Sequence, residues 1–218
     1  MTSPIIPAII PQSFDDLESQ ITKISHLHEV HVDVVDGVFV PALSWPHNTP
    51  HAIPAAAYDL LAPFSLEVDL MVEDQWGAAE AWMRAGADQL VFHVEVMSPA
   101  LLEQFITEYD VTIGIASNND TPVAALAPYI PFVSYVQVMG IAAIGTQGQP
   151  FDERVIGRIQ EIQTLYPTLP ISIDGSMNVT TLPRIAPLHL SRIIVGSAIM
   201  SHEDPLAAYR QLTDLVRS

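Results

Sequence analysis

The chain has 218 residues, enough for one sizeable core and too few for two comfortable enzyme domains. Its 25 acidic and 8 basic side chains give a formal charge of −17, with Lys23 the one lysine, so neither a nucleic-acid surface nor an anionic-membrane surface is expected. Cysteine is absent, which removes disulfides, thiolate metal sites and cysteine nucleophiles from consideration.

The opening MTSPIIPAII lacks a basic region and is broken by prolines, so no signal peptide is read there. No run reaches the roughly 18 apolar residues of a membrane span. A soluble, cytoplasmic protein is the expectation. Short apolar runs rich in β-formers then predict strands at 5–9, 30–34, 66–71, 89–93, 112–116, 132–138, 170–173 and 192–195. Between them, helical spacing predicts helices at 14–25 (after Ser13 as N-cap), 75–85, 152–166 and 205–216 (after Asp204, with Pro205 at the first position). Alternating strands and helices at about 27 residues per unit fit a single (β/α)8 TIM barrel spanning 1–218 as one domain. A doubly wound open sheet fits less well, because PAIIPQS follows the first strand where a nucleotide-binding turn would be glycine-rich.

Every strand of a parallel barrel is buried on both faces, so charge inside one needs a partner or a metal. His31 and Asp33 alternate with Val30, Val32 and Val34, which directs the two polar residues to the interior and the valines to the helices. Asp69 sits in the apolar run of the third strand, and Asp174 ends the seventh, at the barrel end that carries active sites. One imidazole and three carboxylates from three strands suit a divalent cation. Taken singly, each is equally well a hydrogen-bonded buried residue or a helix cap. His31, Asp33 and Asp174 together favour function.

The segment His31-Val32-Asp33-Val34-Val35-Asp36-Gly37-Val38-Phe39-Val40-Pro41 resembles the H-[VLI]-D-[VI]-M-D-G-x-F-V-P signature of ribulose-phosphate 3-epimerases. Further matches follow in the family's order: Pro7-Ala8-Ile9-Ile10, Asp69-Leu70-Met71-Val72, Phe92-His93-Val94-Glu95, the loop from Gly145 to Phe151, Asp174-Gly175-Ser176 and Gly196-Ser197-Ala198-Ile199. The resemblance implies a TIM-barrel isomerase of the pentose phosphate pathway, converting D-ribulose 5-phosphate to D-xylulose 5-phosphate. It implies one divalent cation (Mn, Mg, Zn, Fe or Co) on His31, Asp33, Asp69 and Asp174, with Asp33 and Asp174 as the proton-transfer pair. It also implies a homo-oligomer. Four departures stand out: Asp69 where the family has His, Ala8 for Ser, Val35 for Met, and Ala142-Ala143-Ile144 for N-P-G. The added carboxylate favours Mn²⁺ or Mg²⁺ relative to Zn²⁺. An epimerase for a different ketose phosphate, or a silent barrel that binds a sugar phosphate or a partner protein, is the alternative.

Epimerisation beside a ketone needs two acid/base groups flanking a planar, metal-stabilised enediolate. A phosphate can be held by backbone N–H groups of the late loops, for which Gly145, Gly148, Gly175, Ser176, Gly196 and Ser197 are the candidates. Other polar residues are given structural roles. His47 and His51 are read as loop residues, His26 and His28 as surface residues, and Asp36 as the organiser of the turn before Phe39. His93 is equally a second layer behind the site or a hydrogen-bonded barrel histidine. Trp76 and Trp82 are read as packing or oligomer contacts.

Overall fold

The computed structural model describes residues 3–50, 52–145 and 148–217. Eight parallel strands close into a barrel in chain order: β1 (Ile5–Ile9), β2 (Glu29–Val35), β3 (Ser65–Met71), β4 (Gln89–His93), β5 (Thr112–Ser117), β6 (Tyr135–Met139), β7 (Ile171–Asp174) and β8 (Arg192–Val195). Around them run α1 (Phe14–Lys23), α2 (Ala55–Leu61), α3 (Gln75–Arg84), α4 (Pro99–Glu108), α5 (Arg154–Leu165), α6 (Leu182–Ile185), α7 (Ser197–Met200) and α8 (Pro205–Arg217). The TIM barrel expected from the alternation of elements is the observed architecture.

The expected N-caps are in place. Ser13 Oγ accepts from the Asp16 N–H at 3.1 Å, and Asp204 Oδ1 accepts from the Ala207 N–H at 3.0 Å. Each satisfies an otherwise unpaired first-turn donor. Four helices lie outside the expected ranges: α2, α4 and the one-turn α6 and α7. The sixth strand also begins later than expected. Pro131 sits in a 3-10 turn over Ile130–Phe132, so regular pairing starts only at Tyr135.

Alternation along the strands separates two apolar layers. Val30, Val32 and Val34 belong to the large cluster between sheet and helices, as their spacing predicts. Val35, Met71, Val91, Ala116 and Met139 pack inside the barrel. Ile6, Ala8 and Ile194 form a second apolar group inside the barrel, and polar side chains take up much of the remaining interior. Register puts His31 opposite Ala8 on one side and Glu67 on the other, and Asp33 opposite Asp69. Met139 pairs with Asp174 across β6 and β7. None of the helices among the described residues is long and apolar enough to cross a membrane.

Candidate active site

Closure of the barrel brings the four predicted ligands together. One donor atom each from His31, Asp33, Asp69 and Asp174 lies within 4.8 Å of all the others. His31 and Asp69 are fully buried, while Asp33 and Asp174 are 5% and 8% exposed. That small difference matches which of the four reach open space. Asp33 and Asp174 border a cavity of about 200 Å³ at the C-terminal mouth, and His31 and Asp69 do not line it. The cavity also has Ala8, Met71 and Ile141 in its wall. All six candidate phosphate residues, Gly145, Gly148, Gly175, Ser176, Gly196 and Ser197, line the same space. Thr146 and Gln147 of the intervening loop lie outside the described residues.

Local conformation explains two of these positions. Gly175 has φ +101°, and Ser176 after it has φ +59°, so the chain turns through left-handed backbone directly after Asp174. The turn is pinned by Ser176 O, which accepts from Thr181 Oγ1 at 2.8 Å and Asn178 Nδ2 at 3.1 Å. Gly145 has φ +85°, and a Cβ there would come within 2.7 Å of Val40. Asp36 organises its turn as expected. Oδ1 accepts from the N–H groups of Val38 and Phe39, and Oδ2 accepts from that of Glu73.

Beneath the mouth lies a polar layer of which the sequence reading singled out only part. His31 Nε2 is 3.1 Å from Asp33 Oδ1, and its Nδ1 is 2.7 Å from Glu67 Oε1. Glu67 also accepts from the Tyr135 hydroxyl and faces Arg192 Nη2 at 3.3 Å. Asp69 is held on both oxygens: His93 Nε2 lies 2.8 Å from Oδ1, and Gln137 Nε2 donates to Oδ2 at 2.7 Å. His93 is therefore both a hydrogen-bonded barrel residue and a second layer behind a candidate ligand. The sequence carried a signal for Glu67, which precedes Asp69 by two residues on the same strand face. Tyr135, Gln137 and Arg192 gave none, because their partners are distant in the chain.

The electrostatics follow from burial and crowding of like charge. Burial pushes the Asp33 carboxyl up; hydrogen bonding to His31 opposes this, and Asp69 and Glu67 add to it. Burial, then repulsion from Asp33, holds Asp174 well above the usual carboxylate range. Burial works against charge on His31, but hydrogen bonds to Asp33 and Glu67 outweigh it and raise the ring well above its ordinary value. Burial would also raise Glu67, yet His31, Arg192 and Tyr135 together bring it down to about 2. Three carboxylates and one imidazole around a single point form a donor set suited to a divalent cation.

Several residues keep the structural parts expected of them. His26, His28 and His47 are exposed, and His47 lies in a loop; His51 is outside the described residues. Trp82 is buried against Trp45 in an edge-on contact at 5.9 Å, and Trp76 packs edge-on to Phe105 at 5.0 Å.

Comparison with known proteins identifies the family. The family model described as "Ribulose-phosphate 3 epimerase family" matches residues 4–200. The ribulose-phosphate 3-epimerase of Treponema pallidum (strain Nichols) is 30% identical over 204 residues, covering 90% of this chain and 91% of its own. That of Candida glabrata is 28% identical over 220 residues, covering 94% and 89%. Among solved structures, a 3-hexulose-6-phosphate synthase superposes with a TM-score of 0.72 at 16% identity, covering 98% of this chain and 99% of its own, a likeness of fold. The chain belongs to the ribulose-phosphate 3-epimerase family and is, by class, an isomerase of the epimerase type.

Proposed function

We propose that the protein, acting as one barrel domain over 1–218, is a metal-dependent 3-epimerase that interconverts D-ribulose 5-phosphate and D-xylulose 5-phosphate. One observation carries the reading: Asp33 and Asp174, from β2 and β7, both border the mouth cavity while belonging to the four-residue donor group beneath it. Asp33 and Asp174 are the acid/base pair, one withdrawing the proton at C3 on one face of the sugar and the other returning one on the opposite face. An ordinary aspartate is a weak base toward a carbon acid, so the reaction would depend on a cation polarising the carbonyl beside C3. His31, Asp33, Asp69 and Asp174 would hold the divalent cation, which supplies Lewis acidity toward the substrate oxygens when bound. Backbone groups of Gly145, Gly148, Gly175, Ser176, Gly196 and Ser197 would take the phosphate, which needs no lysine or arginine for this. A different ketose phosphate is the second reading, supported by the apolar Ala8 in the cavity wall.

The test is solvent-deuterium incorporation at C3 of D-ribulose 5-phosphate, using stripped protein resupplied with Mn²⁺, Mg²⁺ or Zn²⁺. Cation-dependent exchange that is lost in Asp33→Asn is the expected result. No exchange with any of the cations would remove the pentose-phosphate assignment, and the assay would then move to other ketose phosphates.

A further inference from the structure

Outside the acid/base pair, the Glu67 carboxylate is held by three side chains, those of His31, Tyr135 and Arg192. It lies on the interior face of β3 and is fully buried. Its Oε1 is 2.7 Å from His31 Nδ1 and 3.3 Å from Arg192 Nη2, and its Oε2 accepts from the Tyr135 hydroxyl. Arg192 is itself braced by Glu29 Oε2 at 3.2 Å. Room for the tyrosine comes from β5, because a Cβ on Gly114 would lie 2.4 Å from the Tyr135 ring. Four strands besides its own, β2, β5, β6 and β8, thus shape the surroundings of one carboxylate.

This arrangement is a poor way to make a barrel stable. Taking an ionised carboxylate and a guanidinium out of water costs several kcal/mol, and well-packed apolar side chains usually do as well or better. Other interior positions of this barrel are filled that way, at Ile6, Val91 and Ala116. The shortest contact of Glu67 with a ring nitrogen goes to His31, on the side of that ring turned away from the donor group.

We propose that Glu67, gripped by Tyr135 and Arg192, is a positioning residue that fixes the tautomer and orientation of His31, so that its Nε2 lone pair faces the cation. This rests on the reading of His31 as a cation ligand. A ligating imidazole must be neutral, and of the two carboxylates on His31 the closer is Glu67, 2.7 Å from Nδ1 against 3.1 Å from Nε2 to Asp33, so the single proton stays on Nδ1 and Nε2 is left for the cation. Nε2 already points into the group, 3.1 Å from Asp33 Oδ1 and 4.0 Å from Asp69 Oδ2. Partners behind a ligand of this kind typically contribute about 10- to 100-fold to metal affinity.

The decisive variant is Glu67→Gln in the full chain. A glutamine offers a donor as well as an acceptor, so it no longer dictates which nitrogen carries the proton. Two readouts are taken: Mn²⁺ affinity by titration with electron paramagnetic resonance, and the His31 tautomer in Zn²⁺-loaded protein by long-range ¹H–¹⁵N correlation. The wild type is expected to show Nδ1 protonated, and Glu67→Gln to bind Mn²⁺ about 10- to 100-fold more weakly with a changed tautomer pattern. Wild-type affinity together with an unchanged pattern in the variant would overturn the positioning role and leave the site reading standing. A wild type that binds no cation would overturn both. If Glu67→Gln does not fold, Tyr135→Phe carries the test. Loss of one grip is expected to weaken Mn²⁺ binding about threefold, and an unchanged affinity there would overturn the proposal.

Discussion

Asp174 ends β7 in a place that suits chemistry better than folding. It is buried and repelled by Asp33, with Asp69 adding to the repulsion. Functional sites commonly give up stability in this way. Asp174→Asn keeps the shape and removes the charge. The variant without cation is expected to be more stable than stripped wild type by about 1 kcal/mol at neutral pH, while losing deuterium exchange at C3. Urea unfolding of the two stripped proteins, beside the exchange assay, measures both effects; a less stable variant would contradict the repulsion. A second residue prediction concerns Gly114. Alanine there would press on the Tyr135 ring from 2.4 Å. A loss of about 2 kcal/mol is expected, with part of it recovered when Tyr135 is also shortened to valine. At this scale the sequence was legible where polarity interrupted an apolar strand, as at His31, Asp33, Asp69 and Asp174. It was not legible where a polar residue gains meaning from a distant partner. Tyr135 and Gln137 meet Glu67 and Asp69 across 68 positions of chain, and only barrel closure makes them neighbours.

Among the elements, strands were read better than the helices between them, for a local reason. β1, β4 and β8 have the boundaries their apolar runs predict. The helix α4 carried the same start signal as α8, a capping side chain followed by proline. Ser98 Oγ accepts from the Leu101 N–H at 3.3 Å, although the segment lies outside the expected helix ranges. α2 follows Pro54 without any side-chain cap, so only its alanine-rich composition marks it. The connection from β6 to α5 is tied by a buried-edge carboxylate. Asp152 accepts from Arg154 and, at 3.0 Å, from Asn119 Nδ2, which also donates to Met139 O at 2.8 Å. The Arg154 guanidinium and Asn119 hold the Asp152 carboxyl down at about 2, against an ordinary 3.8. A depressed carboxyl contributes stability above its unfolded value and loses it as pH falls from about 3.8 toward 2. Wild type is therefore expected to exceed Asp152→Asn by up to about 1 kcal/mol at pH 6, because Arg154 is half exposed and screened. The gap is expected to close on acidification to about pH 2. Urea titrations at stepped pH check this, and a gap that widens in acid would reverse the sign assigned to the tie.

The whole molecule carries −17 charges, and its substrate in the proposed reaction is an anion. The proposed backbone cradle at the mouth would act at short range and would do nothing to draw that anion in from solution. At low ionic strength the net field opposes association; salt shortens its reach from about 30 Å at 0.01 M to about 8 Å at 0.15 M. The rate constant kcat/KM is therefore expected to rise about two- to fivefold over that range, the reverse of the behaviour of an enzyme with a basic funnel. The same field would favour the proposed cation, whose capture would bring opposite charge to a cluster of buried carboxylates. Binding at about 100 times the dissociation constant adds about 2.7 kcal/mol to stability, or roughly 5–10 °C in a chain of this size. The two effects have opposite salt dependence: cation affinity weakens with added salt while substrate capture improves. Melting temperatures with and without Mn²⁺, and kcat/KM at saturating Mn²⁺, measured over one series of ionic strengths, separate them. A kcat/KM that falls with salt would mean that a local positive potential at the mouth outweighs the global charge, and Arg154 and Arg184, exposed and each ion-paired to carboxylates, would be the side chains to neutralise next.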